Sequence, residues 1–229
     1  METLYGNLTL ELCPGAFPLS TDSMALAHFI KLSANSQVLD LGSGCATLGL
    51  LLCGKDKNCH VTGYELDPDA HETALENIRK NQLTHRLNSI CADLRIIPES
   101  MQPGQFSCCV SNPPYFPGGP LSKTHPTARR EDCCSMEDLF RSAGWALHYG
   151  GDFYLVHRPE RLAQICACAA QFGMEAKRLQ LLRHRQNGPI SLILVQCRKG
   201  GKPGLIWEEN TLYTPEGNPT PFYQSLYHL

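Results

Sequence analysis

The chain has 229 residues, 42% hydrophobic and 18% charged, which is enough to bury a core and too apolar for a disordered segment. Its net charge of −2, with nine histidines counted neutral, announces no nucleic-acid partner on a global scale. The longest apolar stretch, 46–53, is interrupted by Gly49 and is far short of a membrane span, and the first ten residues lack the basic and apolar regions of a signal peptide. A single domain over 1–229 and a cytoplasmic location are therefore expected. The twelve cysteines include no Cys-x-x-Cys pair, and Cys108, Cys109, Cys166, Cys168 and Cys197 fall in apolar runs. They read as packed thiols in a reducing compartment, with no metal site expected.

In chain order, residues 4–12 alternate weakly and suggest a short strand or hairpin before Pro14. Thr21 or Asp22 can cap a helix reaching about Lys31. The apolar run 37–41 enters a glycine-rich turn, and 45–53 reads as a helix. A strand over 60–66, a helix over 68–82 with proline in its first turn, and a strand over 88–94 follow. This alternation predicts a parallel sheet with helices on both faces. A fourth strand, 106–111, ends abruptly at two prolines. Beyond a long loop come a helix over 136–148, a strand over 152–157, a helix after Pro159, and two β-rich runs, 176–184 and 190–197. Gln186-Asn187-Gly188-Pro189 joins these two as a hairpin turn, so the sheet is expected to end antiparallel. Residues 1–35 form an N-terminal segment, and the Pro/Gly-rich stretch 200–229 is expected as an irregular tail packed on the domain.

The turn Asp40-Leu41-Gly42-Ser43-Gly44 sits at the carboxyl end of the first strand of that alternation, where doubly wound sheets bind ligands. A dinucleotide site needs a third glycine three residues after the second, and Thr47 stands there. Asp40 would repel a pyrophosphate but attract a ligand carrying an ammonium and a sulfonium, which describes S-adenosylmethionine. Glu65 closes the second strand, where a carboxylate can accept from both ribose hydroxyls, with Leu66 beside it. Asp93 is placed to accept from the amino group of the cofactor's adenine, with Ala92 and Leu94 against the ring. Acids at strand ends are often solvated or capping groups, so it is their joint placement that points to a cofactor.

Ser111-Asn112-Pro113-Pro114-Tyr115 ends the fourth strand beside the point where a transferable methyl would lie. The bland reading is a rigid loop. The chemical reading is methyl transfer to an amine conjugated with an adenine or an amide, whose lone pair is delocalised and weakly nucleophilic. The Asn112 oxygen and the Pro113 carbonyl can each take one N–H and aim the lone pair in line, with Asn112 also bordering the cofactor. Pro114 stiffens the turn, and Tyr115 can stack on the planar substrate.

With these motifs the sequence resembles class I methyltransferases carrying Asn-Pro-Pro-Tyr, and among them the bacterial tRNA (adenine-N6)-methyltransferases that modify valine tRNA next to the anticodon. Phe17-Pro18-Leu19-Ser20-Thr21-Asp22-Ser23, Ala128-Arg129-Arg130-Glu131, Arg158-Pro159-Glu160-Arg161-Leu162 and the run from Arg198 to Leu205 resemble further motifs of that family. The resemblance implies a Rossmann-like α/β fold with a seven-stranded, mostly parallel sheet and an antiparallel C-terminal hairpin. It also implies S-adenosylmethionine as cofactor at Gly42, Gly44, Glu65 and Asp93, and the target base at Asn112 to Tyr115. Ala46 departs from the pattern, since many relatives have glycine there. A tRNA partner is expected at Lys123, Arg129, Arg130, Arg183, Arg185, Lys199 and Lys202, because residues 177–202 carry seven lysines and arginines and no acid. An ordinary solvated face explains that run about as well. Other substrates of Asn-Pro-Pro-Tyr enzymes are a protein glutamine and guanine N2 of rRNA. A non-catalytic RNA-binding or partner-activating module with the same fold is the reading of another class. Oligomeric state is not readable; a monomer is the default.

Overall fold

The computed structural model describes residues 2–16, 18–114 and 134–227. Tyr115, Lys123, Arg129 and Arg130 lie outside them. A two-stranded ribbon, β1 (Glu2–Thr3) and β2 (Thr9–Leu10), precedes α1 (Thr21–Phe29). Then follow β3 (Gln37–Leu41), α2 (Thr47–Lys55), β4 (His60–Glu65), α3 (Pro68–Lys80), β5 (Leu87–Cys91), a short α4 (Ile97–Ser100) and β6 (Phe106–Ser111). The rest comprises α5 (Met136–Ala146), β7 (Leu147–His157), α6 (Leu162–Gln171), β8 (Met174–Arg185), β9 (Ile190–Lys199), β10 (Ile206–Tyr213) and α7 (Pro221–Tyr227).

Among the described residues the main sheet has eight strands in the order β10-β8-β9-β7-β6-β3-β4-β5, and of these β9 alone runs antiparallel to its neighbours. This corrects the expected seven strands and the expected irregular tail. Residues 206–213 pair in parallel with β8 along the sheet edge, and residues 221–227 form a helix.

Alternate residues of the inner strands serve two separate cores, because helices cover both faces. Val38, Val110, Tyr154 and Val156 face α1, α2, α3 and α7, whereas Leu39, Leu41, Phe153 and Leu155 face α4, α5 and α6. Both layers are closed by edge-to-face ring pairs, Phe29 with Tyr154 and Phe140 with Phe153.

Several boundaries differ from expectation for local reasons. Ser20, not Thr21 or Asp22, caps α1, accepting from Ser23 N. Helix α2 starts two residues late because Ala46 is still in the turn, in the left-handed region at φ 67°. Strand β5 stops at Cys91, and Asp93 caps the short turn that follows. Strand β7 begins at Leu147, earlier than the expected 152, where α5 ends.

Two side chains fix the elements that carry the site. The Lys55 ammonium donates to the carbonyls of Ala27, His28 and Ile30 at 2.8, 3.1 and 2.7 Å, capping the end of α1 from α2. Asn77, buried on the inner face of α3, donates to Glu11 O and Cys45 O at 2.8 and 3.0 Å and accepts from Glu11 N at 2.9 Å. One amide thereby joins the N-terminal segment, the glycine-rich turn and α3.

Candidate functional site

A cavity of about 660 Å³ opens at the carboxyl ends of β3, β4 and β6. Asp40, Gly42, Ser43, Gly44, Glu65, Leu66, Asp93, Leu94, Asn112, Pro113 and Pro114 all line it, so every described residue expected at the cofactor or the reacting amine meets in one space.

The turn owes its shape to three left-handed residues at alternate positions, Gly42, Gly44 and Ala46, at φ 75°, 55° and 67°. Gly42 N and Ser43 N both donate to Tyr64 O, at 2.9 and 3.0 Å, tying the turn to β4. Gly63 permits this closeness, since a Cβ there would lie 2.5 Å from Ser43 Oγ. Glu65 Oε2 accepts from Gly44 N at 2.7 Å and Oε1 from Asp67 N at 2.8 Å. Each oxygen is thus oriented by one backbone donor and keeps a lone pair for a ligand hydroxyl.

Asp40 is 1% exposed, and neither carboxylate oxygen has a hydrogen-bond partner among the described residues. Burial, and after it the charge of Glu65, pushes its carboxyl up to about 8. A buried acid without a donor is costly on its own, and a ligand cation is what would satisfy it. The exposed side chain of Leu66 offers an apolar surface on the same cavity. An orphaned carboxylate, a doubly oriented second carboxylate and an apolar ledge fit the ammonium, ribose and adenine of S-adenosylmethionine.

Asp93 is more occupied than expected. It accepts from Arg95 N at 2.9 Å and pairs with the Arg95 guanidinium through both oxygens, which holds its carboxyl below the ordinary range. Three donor hydrogens fill most of its acceptor capacity, so Arg95 competes for the role assigned to the cofactor's amino group.

At the end of β6, Ser111 Oγ donates to Leu41 O at 2.8 Å, fastening this strand end to β3. The next residue, Asn112, donates through Nδ2 to Ser23 Oγ at 3.0 Å. The first turn of α1 therefore orients the Asn112 amide, with its nitrogen committed to Ser23 and its oxygen at the opposite end of the group. Sequence reasoning placed no residue of α1 in the site, although Thr21, Asp22 and Ser23 line the cavity. Asp22 and Ser23 belong to the Phe17–Ser23 motif, the signal that could have found them. Cys13 and Cys45 also line it, with their sulfurs 3.8 Å apart. Arg158, His184, Ser191, Leu192 and Leu212, from the antiparallel part of the sheet and β10, extend the cavity beyond Asn112 and were likewise missed.

The basic run of 177–202 does not form one surface. Arg183 and Arg185 lie at the end of β8 on the site's side of the sheet, whereas Lys199 lies at the opposite end and Lys202 beyond it, about 30 Å along the hairpin. Arg183 is paired with Glu209 and donates to Gly188 O, and Lys199 donates to Leu147 O at 2.7 Å. Among the described residues no cluster of three or more His, Cys, Asp or Glu is arranged to hold a metal, and no helix is long and apolar enough to cross a membrane.

Comparison with known proteins bears on the fold and the family. A predicted O-methyltransferase of Agrobacterium tumefaciens superposes with a TM-score of 0.74 at 22% identity, over 90% of this chain and 95% of that one. TrmN from Thermus thermophilus does so with a TM-score of 0.59 at 20% identity, over 77% of this chain and 48% of that one. The tRNA1(Val) (adenine(37)-N6)-methyltransferase of Aliivibrio salmonicida is 30% identical over 97% of this chain and 94% of its own length. The enzyme of the same name from Shewanella halifaxensis is 29% identical over 69% of this chain, a match spanning 64% of that relative. The family described as methyltransferase small domain matches residues 18–173, and this chain belongs to it and, within it, to the family of the tRNA1(Val) (adenine-N6)-methyltransferases.

Proposed function

We propose that this protein transfers a methyl group from S-adenosylmethionine to the exocyclic N6 nitrogen of an adenine in tRNA, adenine 37 of valine tRNA by analogy with the relatives' names. The observation that carries the reading is the Asn112 amide, held by Ser23 at the end of β6 in the same cavity as Asp40 and Glu65. S-adenosylmethionine supplies an electrophilic methyl group on its sulfonium. Asp40 holds the cofactor's ammonium and Glu65 its ribose hydroxyls, with Leu66 and Leu94 against the adenine. The Asn112 oxygen and the Pro113 carbonyl each accept one N–H of the substrate amine. This draws the nitrogen out of conjugation and directs its lone pair, an arrangement that is set before the reaction begins. Pro114 fixes the turn, and Tyr115 stacks on the base. No strong base is needed, because the nitrogen becomes acidic once alkylated.

The RNA contacts belong to Arg183 and Arg185, with Lys123, Arg129 and Arg130, and the protein acts in the cytoplasm, where its substrate is. The test is mass spectrometry of nucleosides from unmodified tRNA incubated with the protein and labelled S-adenosylmethionine. Labelled N6-methyladenosine is expected. Label on guanine N2 would replace this reading with the guanine alternative, and no labelled nucleoside despite cofactor binding would favour a protein substrate or a non-catalytic module.

A further inference from the structure

We propose that the hairpin end of the cavity is a second nucleobase subsite, in which the His184 ring stacks on the base flanking the target adenine and Arg158 holds the adjoining phosphate. The inference rests on the tRNA reading above and goes beyond it by naming where the neighbouring nucleotide sits.

The cavity continues past Asn112 into a part that neither the cofactor nor the reacting amine requires. Its floor is apolar, with Leu192 and Leu212 each 6% exposed. His184 lies on its wall, exposed, yet its ring is not loose. It packs on Tyr213 with centroids 4.9 Å apart, Tyr213 on Tyr223 at 5.0 Å, and Tyr223 on Tyr227 at 4.9 Å. The Tyr227 hydroxyl is 3.1 Å from Thr21 Oγ1, and Thr21 lines the cavity again. Four rings thus form a column that leaves the cavity at His184 and returns to it at Thr21. Tyr213 packs against the imidazole at a tilt of 50° and restrains it, so a base arriving on the ring's open face costs little further side-chain entropy.

The electrostatics suit one nucleotide. Arg158, exposed at the end of β7, donates Nη1 to Ser191 O at 3.1 Å, which steadies the guanidinium and leaves its other donors without partners among the described residues. Arg185 is exposed one residue past His184. A fixed ring, an apolar floor and unpaired arginines are the combination with which proteins hold unstacked bases. Moreover, His184, Leu192 and Leu212 lie beyond residues 18–173, the part that matches the methyltransferase family as a whole, as expected of groups that choose a substrate.

The test uses a tRNA anticodon-arm hairpin in which the nucleotides either side of the target adenine are replaced in turn by 2-aminopurine. Wild-type protein should quench the fluorescence at one of the two positions. His184→Ala should abolish that quenching and raise KM for the RNA about fivefold or more, the loss of one stacked base. Its cofactor affinity and its kcat at saturating RNA should stay within twofold. His184→Phe should restore both quenching and KM, which a role in proton transfer would not allow. Arg158→Gln, which leaves the column intact, should weaken RNA binding and lower its salt dependence by about one counterion. Unquenched wild-type complexes, or His184→Ala behaving as wild type, would overturn the subsite. Because quenching reads binding alone, it decides the subsite even if methylated adenine never appears, an outcome that would count against the proposed reaction instead.

Discussion

Asn112 Nδ2 donates to Ser23 Oγ across 3.0 Å, joining the last residue before the two prolines to the first turn of α1. The Asn112 amide is therefore oriented by a residue 89 positions away. Asn112→Ala should lower kcat by roughly 10²–10³, comparable to losing one preorganised polar contact in a transition state, with the melting temperature little changed. Ser23→Ala keeps the acceptor but releases its orientation, so kcat should fall by about tenfold while cofactor affinity holds. Steady-state kinetics beside calorimetric titration separates the two. An effect of Ser23→Ala on cofactor binding alone would refute the orienting role.

Burial raises the Asp40 carboxyl to about 8, so the free protein holds a proton there at neutral pH. An ammonium beside it favours the ionised form, and cofactor binding below pH 8 should release that proton. Affinity should therefore rise with pH up to about 8 and then level. Titration calorimetry in buffers of different ionisation enthalpy measures the release, which Asp40→Asn should abolish. For the free protein the sign is opposite. The folded state binds a proton that the unfolded chain, with an aspartate near pKa 3.9, has lost, so this group's contribution to stability falls as pH rises from about 4 through about 8. The melting temperature of Asp40→Asn relative to wild type should climb between pH 5 and pH 8.

Ala46 occupies the left-handed region at φ 67°, where a Cβ is strained. Ala46→Gly removes that strain at some cost in unfolded-state entropy, for a net gain of about 0.5–1 kcal/mol. Thermal melts should show an increase of roughly 1–4 °C. No increase would mean that the alanine is accommodated without strain.

Arg185 and Lys202, both exposed, lie at opposite ends of the β8–β9 hairpin. Arg185→Glu should weaken tRNA binding and flatten its salt dependence by one to two counterions, whereas Lys202→Glu should leave both unchanged. Equal effects would restore the single basic surface suggested by the sequence.

The parallel half of the sheet was legible because each strand is a short apolar run punctuated by glycine or proline, and its carboxyl ends carry the acids. Strand β10 was not, since an edge strand buries little: Ile206 and Trp207 are largely exposed, and its pattern resembles a loop. The Asp93 ion pair comes from a residue only two positions away, brought round by the short turn that Asp93 caps, which no apolar pattern in the sequence marks. Lys199 and Lys202 are near Arg183 in sequence but not in space, because a long hairpin separates its ends. Asn77 left a readable trace as the one polar residue in the buried stripe of Ala70, Ala74 and Ile78 on α3.

The position of β9, inserted between β7 and β8 although it follows both in the chain, bears on how the protein is made. A chain emerging from the ribosome completes β7 and β8 before the strand that must join them exists. Until residue 199 is free, two strand edges stand open with backbone donors and acceptors unpaired, the surfaces on which nascent chains aggregate. A frameshift or stop codon within 174–199 would therefore yield an adhesive product with the glycine-rich turn intact. Loss of the last helix alone would spare that edge and remove the support behind His184.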